Sequence, residues 1–161
     1  MPSFKPEDNV RAALFDRLID LEPEIPREPR PLRTMNVREL YSSVLQELNR
    51  LLNSRCPLTF DKLENRERTT IDYGVPDFSA FNPQSLDDQK LLAKNIKSTI
   101  EVYEHRLEGV RVKIEEFVDD KKALLVKIEG VLAFETVREP VSFPLVISEK
   151  GEKVTLDAIT G

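Results

Sequence analysis

Three consecutive polar residues carry most of the chemistry that this sequence could perform. Glu104 and Arg106 flank His105, which is the only histidine in the chain. A Ser-His-Asp triad, a Cys-His pair or a histidine-ligated metal would therefore have to include His105. A carboxylate and a guanidinium beside an imidazole could form an acid–base cluster. Three polar residues at a helix end could equally form a cap or an ion-pair network, and we favour this structural interpretation.

The one other reactive side chain of this kind is Cys56, the only cysteine. A single cysteine excludes an intrachain disulfide and a cysteine-rich zinc site, and it fits a reducing compartment. Because Cys56 precedes Pro57 at a predicted helix end, we expect a small buried side chain rather than a nucleophile. The scattered glycines never form a phosphate-binding G-x-G cluster. We therefore expect no metal and no cofactor.

Clustered carboxylates are the remaining candidates for catalysis. Glu115-Glu116, Asp119-Asp120 and Asp87-Asp88 occur where we expect solvated turns or a helix start. Glycoside hydrolysis needs two carboxyls that face each other across a cleft, one of them with a raised pKa. Glu104 is the one carboxylate that we nominate as a general acid. A peptidoglycan-type glycoside hydrolase is therefore the alternative function.

Composition limits the possible partners. The 161-residue chain has 24 Lys and Arg against 29 Asp and Glu, a net charge of −5. This balance argues against broad binding to nucleic-acid phosphates. The first residues lack the apolar run of a signal peptide, and no uncharged stretch approaches the ~20 residues of a membrane span. We expect a cytoplasmic protein that neither binds nucleic acid nor inserts into a membrane.

The first 34 residues are predicted to lie outside the main domain. Residues 1–21 are expected to contain a docking helix over residues 8–21, where apolar side chains recur at helical spacing: Val10, Leu14, Leu18 and Leu21. Residues 22–34 are rich in proline and arginine, which predicts an extended linker. Residues 35–161 then form the main domain.

The most strongly patterned helix of that domain covers residues 37–53. Asn36 is a good N-cap, and Glu39 three residues later completes a capping-box pattern. The predicted buried stripe keeps a spacing of three and four residues: Leu40, Val44, Leu48, Leu51 and Leu52.

A second long helix is predicted to begin after Ser85. We expect it to end at Gly109, a good residue to follow a helix C-terminus, with His105 and Arg106 in the last turn. Between the two helices, residues 70–78 resemble a short strand or extended run that ends in a turn.

After Gly109 the hydrophobic period changes from 3.6 to 2. The alternation over residues 110–114 and 124–128, on either side of a charged turn at 119–122, predicts a β-hairpin. Residues 141–145 and 154–156 are expected to supply two more short strands. The fold class predicted is α+β, with N-terminal helices packed on a small, largely antiparallel sheet.

Four motifs resemble one known family in their order and spacing. They are Leu14-Phe15-Asp16-Arg17-Leu18, Leu51-Leu52-Asn53-Ser54-Arg55, Asp72-Tyr73-Gly74-Val75-Pro76-Asp77-Phe78, and Tyr103-Glu104-His105-Arg106-Leu107 followed by the hairpin. Over nearly its whole length the chain resembles the lysozyme-like baseplate family, which includes TssE of type VI secretion systems and a wedge subunit of contractile phages. The first motif favours the secretion branch.

This resemblance implies a structural protein rather than an enzyme. The expected partners are the wedge proteins TssF, TssG and TssK and the sheath proteins, whose assembly the subunit would start. The expected location is a cytoplasmic baseplate docked at the inner-membrane complex. The family's Glu-Pro-Arg interaction motif would fall on Glu104, His105 and Arg106. His105 replaces a proline, which would have restricted the backbone of the preceding residue.

Overall fold

A computed structural model describes residues 9–12, 24, 34–64, 66–82, 84–118 and 123–148. Its helices and strands are, in chain order, β1 (Asn9–Arg11), β2 (Thr34–Asn36), α1 (Val37–Asn53), α2 (Phe60–Glu64), α3 (Leu86–Tyr103), β3 (Leu107–Val118), β4 (Ala123–Phe134) and β5 (Val137–Ser148). β1 and β2 form an antiparallel ribbon, and the other strands form an antiparallel sheet in the order β3-β4-β5. Helices and strands share one hydrophobic core. The predicted α+β class is confirmed.

Helix α1 begins where the capping pattern predicted. The Asn36 Oδ1 atom accepts a hydrogen bond from the Glu39 amide at 3.0 Å, and the Asn36 amide donates to Glu39 Oε2 at 2.8 Å. These bonds satisfy two amides that the helix leaves without an internal partner. All five residues of the predicted stripe are buried: Leu40, Val44, Leu48, Leu51 and Leu52.

Helix α3 starts as predicted but ends earlier than predicted. The Ser85 hydroxyl accepts the Asp88 amide at the N-terminus. The last helical residue is Tyr103, and Glu104 leaves the helical region with φ −118° and ψ 80°. His105 and Arg106 therefore form a turn instead of the last helical turn. Gly109 lies inside β3 at φ +63°, where the pairing with β4 shifts register.

The predicted hairpin is confirmed and is longer than its hydrophobic alternation indicated. β3 and β4 pair from Leu107–Leu132 to Val118–Ala123, and β5 pairs with β4 along its whole length. A turn at residues 135–136, with Glu135 at φ +51°, joins β4 to β5. The predicted charged turn at 119–122 and the predicted strand at 154–156 lie outside the described residues.

The segment at residues 70–78 was predicted as a short strand or extended run, but it begins with a 3₁₀ helix, Thr70–Asp72. It then bends at Gly74 and forms an isolated parallel bridge between Val75 and Arg55. The Cys56 amide donates to the Val75 carbonyl at 3.0 Å, and the Val75 amide donates to the Ser54 carbonyl at 3.0 Å. Gly74 has a φ of +109°, and a Cβ there would lie 2.5 Å from the Ser54 carbonyl oxygen. Only glycine fits this close approach.

The N-terminal prediction is wrong for the residues that the structure describes. Asn9–Arg11, which were predicted to begin a helix, form strand β1, and Val10 pairs with Met35 in β2. Both side chains are buried in the core. Pairing with a distant segment satisfies the backbone and buries Val10, which outweighs its helical spacing. Residues 13–21 lie outside the described residues, as does the predicted linker except Glu24 and Thr34; Thr34 begins β2.

Candidate functional site

Glu104 and Arg106 form an ion pair inside the turn between α3 and β3. The Arg106 guanidinium donates from Nε to Glu104 Oε1 at 2.8 Å and from Nη2 to Oε2 at 2.6 Å. The Arg106 amide also donates to Oε1, at 3.1 Å. Two parallel N–H···O bonds to one carboxylate are the strongest geometry for such a pair. The turn therefore has a rigid internal brace.

This pair also connects the turn to the rest of the fold. Arg106 Nη1 donates to the Ser43 hydroxyl of α1 at 2.9 Å, and the Arg106 carbonyl accepts the Ala133 amide of β4 at 2.8 Å. The Glu104 side chain is 6% exposed and the Arg106 side chain 12%. Of the two interpretations from sequence, the ion-pair network is the one observed. Arg106 thus links α1, the end of α3 and the hairpin to one another.

His105 differs from its two neighbours because it is exposed. Both oxygens of the Glu104 carboxylate are bonded to Arg106, so the three side chains do not form the acid–base cluster considered from sequence. Neither of the two described pockets is lined by Glu104. A general acid must face a cleft where a substrate binds. The geometry gives the hydrolase alternative no support.

Ser43 was not predicted as part of this site. Its sequence signal was a polar residue within the buried stripe of α1, one position before Val44 and three after Leu40. A buried hydroxyl on such a stripe requires a hydrogen-bond partner. Sequence spacing shows that the partner is needed, but not that it is Arg106, which is 63 residues away.

A second polar network holds the loop before Thr70–Asp72 against α3. The buried Asp72 carboxylate accepts the Thr69 amide and hydroxyl and an Arg66 N–H. The Thr69 amide, more than Arg66, lowers the pKa of Asp72 below its usual value. The Tyr103 hydroxyl donates to the Thr69 carbonyl at 2.6 Å. This loop is therefore bonded to the end of α3, next to the Glu104 turn.

The two edge strands of the sheet differ in how their outer backbone groups are used. Along β5, the Ser142 carbonyl accepts the Tyr41 hydroxyl at 2.8 Å, and the Val146 carbonyl accepts Asn53 Nδ2 at 3.1 Å. The Ser148 amide donates to Asn53 Oδ1, and its carbonyl accepts Arg55 Nη2. Pro140 and Pro144 alternate with Ser142 along β5, so their backbone faces the same outer side of the strand, and they have no N–H to donate there. This edge is closed to another strand.

The β3 edge is different. Among the described residues β3 pairs with β4 alone, and several of its side chains are exposed and charged: Glu108, Arg111, Lys113, Glu115 and Glu116. Charged side chains discourage nonspecific pairing along an open edge. Within the part of the chain that the structure describes, β3 is the edge of this sheet without a second strand beside it.

The other predicted site residues have mixed outcomes. Cys56 is buried, as predicted. Residues Leu14, Phe15, Asp16, Arg17 and Leu18, predicted as a docking helix, lie outside the described residues. Within the described ranges, no group of three or more His, Cys, Asp or Glu side chains could hold a metal ion. No helix among those residues is long and apolar enough to cross a membrane.

Comparison with known proteins identifies the family. The family described as baseplate wedge protein gp25 matches residues 38–136, which is more than half of the chain. The chain belongs to the baseplate wedge protein gp25 family. TssE is the type VI secretion member of this family, so the resemblance found in the sequence is confirmed. No curated protein matches the chain. The matched gp25 region includes α1 from Arg38 onward, α3, the Glu104 turn and the β3–β4 hairpin.

Proposed function

We propose that this protein is the TssE-type wedge subunit of a type VI secretion baseplate. It joins the wedge proteins TssF, TssG and TssK, and it starts sheath assembly at a cytoplasmic baseplate docked at the inner-membrane complex. The observation that carries the proposal is the family match over the region that contains the braced turn and the hairpin. A structural role in the baseplate follows from the family. The secretion branch is supported by the motif at residues 14–18.

The sheet supports the part of the proposal that concerns the sheath. A strand from a sheath protein needs a sheet edge that is not already paired. Among the described residues β3 pairs with β4 alone, whereas side chains of α1 bond the outer carbonyls of β5. Both α3 and β4 are tied to the Glu104–Arg106 turn from which β3 begins. The interaction motif then acts by holding this edge at a constant angle to the helices.

Co-purification tests the proposed partners. The tagged full-length chain is co-expressed with TssF, TssG, TssK and the sheath proteins encoded in the same genome. We expect the wedge proteins to elute with the tagged chain through size-exclusion chromatography. Elution of the chain alone, with all partners expressed in soluble form, would contradict the proposal. Co-elution with phage wedge proteins instead would move the chain to the phage branch of the family.

Residues 14–18 allow a separate test of the docking helix. We expect a Leu14→Ser/Leu18→Ser double variant to weaken co-purification of the wedge proteins and to leave the melting temperature nearly unchanged, because apolar anchors dominate helix-in-groove binding. The variant retains Val10, whose burial in the core makes a deletion of residues 1–21 unsuitable. The matched control is Asp16→Ser, which removes a polar residue of the same segment. A large drop in melting temperature for the double variant would assign Leu14 and Leu18 to the core.

A further inference from the structure

A pocket opens where α3 and β3 diverge from the turn that joins them. Its volume is about 250 Å³, and it lies at the end away from Glu104, between residues 88–92 of α3 and 114–117 of β3. Six apolar side chains contribute to its lining: Phe78, Phe81, Leu92, Ile114, Phe117 and Leu124. Phe81 is held in place by stacking on Phe60, with ring centroids 4.7 Å apart. The pocket therefore has an ordered aromatic and aliphatic wall, while the rest of its lining is polar.

The size of the pocket indicates what it can hold. A dry apolar cavity of about 150 Å³ accommodates benzene, and sites for drug-sized ligands begin at about 300 Å³. A pocket of about 250 Å³ therefore accepts one aromatic or large aliphatic side chain. It is too small for a typical cofactor.

The rim of the pocket is negatively charged. Asp88, Glu115 and Glu116 line it, and no lysine or arginine does so among the described residues. Glu115 and Glu116 are exposed and form no ion pair with any residue that the structure describes. A partner segment that inserts an apolar side chain here should bind most tightly when Lys or Arg residues flank that side chain.

The wall formed by β3 connects the pocket to the open sheet edge. Alternate residues of a strand point to the same face, so a strand added along β3 would direct every second side chain toward the helices. Ile114 and Phe117 belong both to β3 and to the pocket, and the register shift between Ile114 and Glu116 allows side chains three positions apart to line the same pocket. One extended segment can thus pair with the edge and place a side chain in the pocket.

We propose that this pocket and the adjoining β3 edge bind an extended segment of a partner protein that carries one bulky apolar side chain flanked by lysine or arginine. The inference deepens the proposed function and rests on its assignment of the β3 edge to a partner strand, because it specifies the chemistry of the bound segment. It does not depend on which type of baseplate contains the chain. Direct binding to the isolated protein therefore tests it separately.

A titration with synthetic peptides provides the test. The ¹⁵N-labelled full-length chain is titrated with the capped peptide Thr-Val-Lys-Phe-Lys-Val-Thr and followed by amide NMR. We expect chemical-shift changes centred on Leu92, Ile114 and Phe117. Replacing both lysines by glutamate, or the phenylalanine by alanine, should weaken binding at least about tenfold. Equal binding of the acidic peptide, or shift changes confined to other surfaces, would overturn the inference.

A charge reversal on the protein gives the matched control. Glu116→Lys should weaken binding of the basic peptide at least about tenfold, because it places a like charge at the pocket rim. Glu67→Lys makes the same change in net charge at an exposed residue that does not line the pocket, and it should leave the affinity nearly unchanged. Both variants change exposed side chains and should keep the wild-type spectrum elsewhere. Equal affinities for the two variants would contradict the proposed site.

Discussion

Replacing Glu104 by alanine is expected to lower the free energy of unfolding by about 3–5 kcal/mol, the usual cost of removing one partner from a buried ion pair. The substitution leaves the Arg106 side chain, 12% exposed, without the carboxylate that accepts two N–H groups of its guanidinium and the N–H of its backbone amide. Urea denaturation of the purified wild-type and variant proteins, followed by circular dichroism, measures this loss.

The matched control is the Glu–Arg pair formed by Glu108 and Arg138. These side chains are 52% and 67% exposed, and exposed pairs contribute only about 0–1 kcal/mol. Glu108→Ala should therefore leave the denaturation midpoint almost unchanged. If Glu104→Ala had an equally small effect, the buried pair would not be the brace that we describe.

A paired replacement separates stability from partner contact. Exchanging both members of a buried ion pair for apolar residues of similar size is often neutral for stability, so Glu104→Leu/Arg106→Met should fold. If the motif acts by holding the turn, this variant should co-purify with the wedge proteins. Loss of co-purification by a stably folded double variant would mean that the charges contact a partner directly.

Leu48→Ala is expected to cost about 2–5 kcal/mol, as truncations of buried leucine do. Leu48 lies in the middle of the α1 stripe and has no exposed surface, so the substitution leaves a cavity in the core. Leu86→Ala is the matched control because Leu86 is 68% exposed at the start of α3. Chemical denaturation should show a near-neutral effect there. A near-neutral effect at Leu48 would mean that α1 buries a different face.

The elements predicted correctly from sequence are those determined by neighbouring residues. The capping box of Asn36 and Glu39 lies within four positions, and the hairpin follows from local alternation of apolar residues. The end of α3 was predicted too far along the chain, at Gly109. The helix ends at Tyr103, and the next residue, Glu104, is held in a turn by its ion pair with Arg106. The bulge at Gly109 gives no signal that distinguishes it from a helix C-terminus.

Features that depend on distant contacts could not be predicted. Val10 follows a helical spacing with Leu14, yet it pairs with Met35 in a ribbon. From the sequence, Asn53 is only a polar residue near a helix end. In the structure it bonds to Val146 and Ser148, more than 90 positions away, and these bonds close the β5 edge. The burial of the Glu104–Arg106 pair likewise depends on the approach of α1. Local sequence patterns contain no information on such approaches.

Sheath formation in living cells tests the central claim most directly. A fluorescent sheath subunit is imaged in the strain that encodes this chain, before and after deletion of its gene and after complementation with the full-length protein. We predict that sheaths disappear on deletion and return on complementation. The Glu67→Ala variant, changed at an exposed residue outside the sheet, should complement fully. Sheaths of normal number and length in the deletion strain would contradict the proposal that this protein starts their assembly.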